Sequence, residues 1–241
     1  MSWRDRLRTC LGLNASARSI DIGLRDRLRT HRRTYAFDRR TGKVPLTLAR
    51  IVVLDLETTG PRMDTDRIIS IGAIGIQRMG IRHADSFAMC LRQPVPSPRD
   101  NILIHRIGAQ QQRSGQDPAH ALLEFLEFRR DSVSVAFRAE FDRTVLRREL
   151  AHTLGYRDRS PILDIAVLLP AFFPNTPNDT LEQWLVQFGI PFTVRHDAVG
   201  DAYATAQLLL VVLKAAQRAG MSSVNDLLAV ERAQAWLGRR R

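Results

Sequence analysis

The chain has 241 residues, a hydrophobic content of 44% and a formal net charge of +11. Those values suit one large folded domain with an extension and exclude a disordered chain. The longest apolar stretch, Leu208 to Leu213, is far short of a bilayer crossing, so neither a transmembrane helix nor a membrane partner is expected.

The first thirty residues are arginine-rich, but Asp5, Asp21 and Asp26 interrupt them and no signal or transit pattern stands out, so the expected location is cytoplasmic. Cys10 and Cys90 are the only cysteines, without C-x-x-C spacing, which gives neither a disulfide framework nor a zinc site. Residues 1–50 carry twelve Arg and one Lys against four Asp, a net of +9, and Arg239 to Arg241 add three more charges. The remainder is near neutral. A basic arm on a neutral body implies an anionic partner, nucleic acid foremost, because phosphate neutralisation by Lys and Arg drives non-specific binding.

In chain order, Arg4-Asp5-Arg6-Leu7-Arg8-Thr9 recurs as Arg25-Asp26-Arg27-Leu28-Arg29-Thr30. Each copy fits a short helix with Trp3, Leu7 and Leu11, or Leu24 and Leu28, on one side, packed on the body or serving as a phosphate-binding arm. Asp38 to Pro45 reads as a linker. The expected division is an extension over 1–45, a domain over 46–220, and a C-terminal helix with a basic tail over 221–241.

Ile51 to Leu54 predicts a buried strand that runs into an acid-rich turn closed by Gly60. Ile68 to Ile76 and Ser86 to Leu91 predict two more strands of an antiparallel meander. Pro94, Pro96 and Pro98 mark an irregular loop, and Leu103 to Gln112 a short helix or turn. Pro118 to Arg129 has helical spacing, Ser132 to Phe137 is a short strand, and Glu140 to Thr153 is helical. Ile162 to Leu169 reads as a further helical segment stopped by Pro170. Asp179 or Thr180 caps Leu181 to Phe188, and Ala198 to Ala219 is the longest helical pattern. Early strands followed by helices around another strand fit a three-layer α/β domain with a mixed sheet.

Asp55 and Glu57 sit two apart on the first strand, so both carboxylates point to one face. Such a pair either shares a divalent cation or ends in solvent. Asp142 falls in the first turn of the helix after the fourth strand, and Asp201 in the first turns of the helix from Ala198, among small residues that let a helix approach a sheet. His196 lies in the loop before that helix, with an ordinary pKa suited to general-base work.

Taken together, Asp55-Leu56-Glu57-Thr58-Thr59-Gly60, Ala139-Glu140-Phe141-Asp142 and His196-Asp197-Ala198-Val199-Gly200-Asp201-Ala202 resemble the three motifs of the DEDDh, or DnaQ-like, 3′→5′ exonuclease family, over roughly residues 50–215. The resemblance implies a ribonuclease H-like fold and two Mg²⁺ or Mn²⁺ ions held by Asp55, Glu57, Asp142 and Asp201. It implies His196 as general base, and Thr58 and His105 near the terminal nucleotide. Many relatives carry His-Asn before the second motif, where this chain has Phe137-Arg138-Ala139, so Arg138 becomes a candidate phosphate contact. The expected function is hydrolysis of DNA from single-stranded or frayed 3′ ends, releasing 5′-mononucleotides in proofreading or repair, with a DNA polymerase as candidate partner. RNA-directed cleavage and a non-catalytic adaptor are the alternatives.

Overall fold

In the computed structural model the described residues are 21–35, 37–38, 40–192 and 197–238. β1 spans Arg50–Thr58, and Ile51 to Leu54 are buried on both faces because the strand has neighbours and covering layers on every side. β2 (Ile68–Gln77) pairs with it antiparallel and sets Asp55 opposite Gly72, and β3 (Gly80–Cys90) continues the meander. β4 (Val133–Ala136) and β5 (Ile162–Asp164) add parallel strands, giving the order β3-β2-β1-β4-β5.

The period of two divides the core. Ile51 and Val53, with Ile74 and Ile76, meet the helices α6 (Ile165–Phe172), α7 (Leu181–Gln187) and α8 (Ala198–Arg218). Val52, Leu54 and Leu56 meet α4 (Pro118–Arg129) and α5 (Glu140–Leu154) on the other face. Helices on both faces of a mixed sheet make the expected three-layer α/β architecture. α8 is the one described helix long and apolar enough to cross a membrane, yet its Leu208, Leu209, Val212 and Leu213 are fully buried against the sheet.

Local chemistry explains where elements start and stop. Thr180 caps α7 in a capping box with Gln183, and Asp117 and Asp197 accept from backbone N–H groups at the starts of α4 and α8. The segment Ile162 to Leu169 departs from the expected continuous helix. Ile162 and Leu163 pair with β4, Asp164 accepts from the Ala166 N–H to begin α6, and Pro170 lies inside that helix instead of ending it. Two apolar residues before Asp164 and five after it carry no period that separates strand from helix, and here sheet pairing decides. Leu103 to Gln112 falls in two short helices, α2 (Arg99–His105) and α3 (Ala109–Ser114), parted by Arg106 in the left-handed region at φ 58°.

The second copy of the repeat lies within α1 (Ile22–Thr34), whose Leu24, Leu28 and His31 are buried against the α4 and α5 face. Arg27 forks onto Glu127 of α4 at 3.0 and 2.6 Å. Arg32 donates to the Gly155 carbonyl at 2.7 Å and lies over the Tyr156 ring. The first copy, with Trp3, Leu7 and Leu11, lies outside the described residues. After a 3-10 turn at Thr41–Lys43, Pro45 bridges Ser223 and the Leu46 N–H donates to the Ser222 carbonyl at 2.8 Å, where α9 (Val224–Gly238) begins.

Candidate active site

β1 extends through Thr58, so Asp55 and Glu57 occupy a regular strand and project to the face that α8 covers. α8 reaches them because β2 has no side chain at Gly72: a Cβ there would lie 2.1 Å from the Ala198 backbone. This close approach brings Asp201, in the first turn of α8 and 4% exposed, onto the same spot. One carboxylate oxygen from each of Asp55, Glu57 and Asp201 lies within 4.8 Å of the others. The donors are all carboxylate oxygens, the set that hard divalent cations take, and a cation between them would relieve the repulsion of such close like charges.

Asp142 arrives from the opposite layer. It sits in the first turn of α5, 6% exposed, and accepts from the backbone N–H groups of Leu56 and of Asp142 itself. Burial pushes its carboxyl up to about 7, and the charges of Asp164 and Glu57 add to the rise. Asp142 is therefore neighbour to Glu57 without being one of the three clustered acids. His196 lies outside the described residues, and Asp197 beside it serves as the N-cap of α8.

The three candidate substrate contacts are each engaged by the fold. The Thr58 hydroxyl donates to the Gly60 carbonyl at 2.7 Å, shaping the turn that leaves β1. His105 is buried: its Nδ1 accepts from the Ile107 N–H at 3.0 Å, which leaves Nε2 to donate to the Ser97 hydroxyl at 3.0 Å. Its neighbours Leu103 and Ile104 are the large apolar side chains that α2 exposes, and Asn101 donates from the same helix to the Thr59 carbonyl. Arg138 is exposed, in the left-handed region at φ 56°, and its guanidinium donates to the Asp179 carbonyl at 3.1 Å.

Asp164 was not singled out from the sequence. Its carboxylate accepts from the Arg138 and Ala166 N–H groups, so it holds the β4–α5 turn that aims Asp142, and burial raises its pKa. Glu231 of α9 accepts from the Asp164 N–H at 2.9 Å and stands 3.7 Å from Arg143 of α5. An acid between an apolar dipeptide and an apolar helix is an N-cap signal, hidden when Ile162 to Leu169 is read as one helix.

Comparison with known proteins now bears on this geometry. The sequence profile of the RNase_T exonuclease family matches residues 52–209. The chain is 29% identical over 191 residues to the DNA polymerase III PolC-type protein of Caldanaerobacter subterraneus, covering 79% of this chain and 13% of that one. It is 29% identical over 189 residues to a DNA polymerase III subunit epsilon-like protein of Rhodobacter capsulatus, covering 77% of this chain and 27% of that one. The chain thus spans only a small part of the length of these relatives. Escherichia coli Exonuclease I in complex with a dT13 oligonucleotide superposes with a TM-score of 0.60 at 18% identity, over 70% of this chain and 42% of that one, which shows the shared ribonuclease H-like fold. Because the profile takes in β1 through most of α8, and with them all four acids, the chain belongs to the RNase_T exonuclease family, in its DnaQ-like 3′→5′ group.

Proposed function

We propose that the protein is a divalent-metal-dependent 3′→5′ exonuclease that removes mononucleotides from single-stranded or frayed 3′ ends of DNA in the cytoplasm, in proofreading or repair, with a DNA polymerase as its partner. The observation that carries the reading is the meeting of Asp55, Glu57 and Asp201 within 4.8 Å. The names of the polymerase III relatives support DNA as the substrate and a polymerase as the partner.

Asp55, Glu57, Asp201 and, once ionised, Asp142 would hold two Mg²⁺ or Mn²⁺ ions, which when bound supply an activated water and charge stabilisation on the leaving 3′ oxygen. His196, by its place in the third motif, takes the proton of the attacking water. The turn at Thr58 to Gly60 and the exposed apolar side chains Leu103 and Ile104 on α2 face the terminal nucleotide, His105 serving by fixing that loop from within. Arg138 orders the β4–α5 turn, with its charge available to phosphate.

The test uses 5′-labelled single-stranded DNA, a mismatched primer-template and RNA of the same sequence, each with Mg²⁺ or Mn²⁺. Wild-type protein should give a ladder shortening from the 3′ end of the DNA substrates, and Asp55→Ala or Asp201→Ala should slow it by about 10²- to 10³-fold or more, the scale of losing a preorganised electrostatic group. No ladder on any substrate would overturn the reading, and a ladder on RNA alone would reassign the substrate.

A further inference from the structure

The flank of α1 beside its buried leucines carries Arg25, Arg29 and Arg32, spaced so that three guanidinium groups share one helix face over about 10 Å. They line a hollow of about 310 Å³ with Leu28, Leu154 and Gly155. A second hollow of about 410 Å³, lined by Arg32, Gly155, Tyr156, Arg157 and Arg159, adjoins it through Arg32 and Gly155. Two separate elements thus present five arginines to one concavity.

The charge there is unbalanced. Asp158 lies between Arg157 and Arg159 but is fully buried and spent on Arg129, which it meets at 2.6 and 3.1 Å. Glu127 is taken by Arg27. Among the described residues Arg29 has only a 3.5 Å contact to exposed Asp26, and no carboxylate there pairs with Arg25, Arg157 or Arg159. The one aromatic ring lining the hollow, Tyr156, has Arg32 over one face and His31 in T-shaped contact, so it is already engaged within the fold. Converging guanidinium groups with no ring beside them for a base to stack on suit phosphate oxygens, onto which Arg forks bidentately.

We infer that this arginine hollow is a second nucleic-acid site, holding the sugar-phosphate backbone of a single strand several nucleotides upstream of the 3′ end. This rests on the exonuclease reading for its direction, since Gly155 ends the helix whose first turn carries Asp142. Thirteen residues of helix separate the two by about 20 Å, which is about six stacked nucleotides at ~3.4 Å each. The hollow grips the strand while the acids act on its end, and its contribution is independent of sequence.

The test compares wild type with Arg25→Ser/Arg29→Ser/Arg157→Ser/Arg159→Ser and with the loop-only pair Arg157→Glu/Arg159→Glu, which leaves α1 untouched. Arg32 is spared because it ties α1 to Gly155. Binding of a 5′-labelled sixteen-nucleotide oligothymidylate is read by anisotropy in chelator, so no turnover is needed. Both variants should bind about tenfold or more weakly at low salt, and the quadruple variant should lose about two to three units of the log-log salt slope. In Mg²⁺, KM should rise for the sixteen-nucleotide strand and stay unchanged for a four-nucleotide one too short to reach the hollow. Unchanged binding and slope in the loop-only pair would overturn the site, as would loss of binding to anionic phospholipid vesicles with oligonucleotide binding intact. An equal KM rise for both lengths would overturn the upstream path. A protein without nuclease activity would still report on the hollow through the anisotropy arm.

Discussion

Asp142 shows how far a single carboxyl departs from its ordinary behaviour when it waits for a cation. Its pKa in the folded chain is about 7 against an ordinary 3.8, so between those values the folded protein keeps a proton that the unfolded chain has released. The metal-free protein therefore loses stability from this group as pH rises from about 4 to about 7. Divalent cation binding must expel that proton, so affinity should climb through pH 7. Calorimetric titration of Mn²⁺ near pH 6.5 in buffers of different ionisation enthalpy should register a released proton in wild type and none in Asp142→Asn. Equal proton counts would show that Asp142 is already ionised. Asp55, Glu57 and Asp201 were legible because strand alternation and helix-start position are local rules. His105 and Arg138 were legible as residues but not in their surroundings, since burial and the left-handed backbone at Arg138 depend on contacts made elsewhere in the chain. A non-glycine residue held there costs about 1–2 kcal/mol, offset by the bonds Arg138 donates to the Asp164 carboxylate and the Asp179 carbonyl.

Two elements carry consequences of their own. α1 docks through Leu24, Leu28 and His31, and both ring nitrogens of His31 lack a hydrogen-bond partner among the described residues. Burial and then the Arg129 charge hold its pKa below the ordinary 6.5, against weaker opposing pulls from Glu127 and Asp158. A depressed histidine stabilises fully above the unfolded value and loses that stability as pH falls below it, because the unfolded chain takes up the proton first. Amide exchange in α1, corrected for intrinsic rates, should quicken below about pH 6.5 in wild type and stay level in His31→Phe. An equally steep response in the variant would assign the effect to another group. The second element is α8, whose seat on β2 depends on Gly72. Gly72→Ala should lower the melting temperature, by the 1–3 kcal/mol typical of overpacking, and weaken Mn²⁺ binding because Asp201 moves with its helix. Unchanged melting and affinity would mean that α8 slides at no cost. Neither dependence shows in the sequence, where Gly72 looks like an ordinary strand glycine and His31 like one arginine-flanked polar residue.

At the scale of the molecule, the acids gather at the seam between two cores: three from the β1 and α8 side, one from the α5 side. Parallel strands β1 and β4 end there, the place where open α/β sheets leave a crevice for ligands. The mixed sheet and its covering helices could be read from the order of periodic segments. The short β5 and the cap at Asp164 were hidden, because two apolar residues before an acid are too few to show a strand period.

The junction at Pro45 to Leu46 and Ser222 to Ser223 has a topological meaning of its own. Everything from β1 to α8 departs from and returns to one doorway held by a backbone bridge and a hydrogen bond. A body whose two ends meet can be spliced into a surface loop of a host protein without stretching either. This exonuclease body can therefore be carried within a larger chain, and in the PolC-type relative from Caldanaerobacter subterraneus the matching stretch is 13% of the whole.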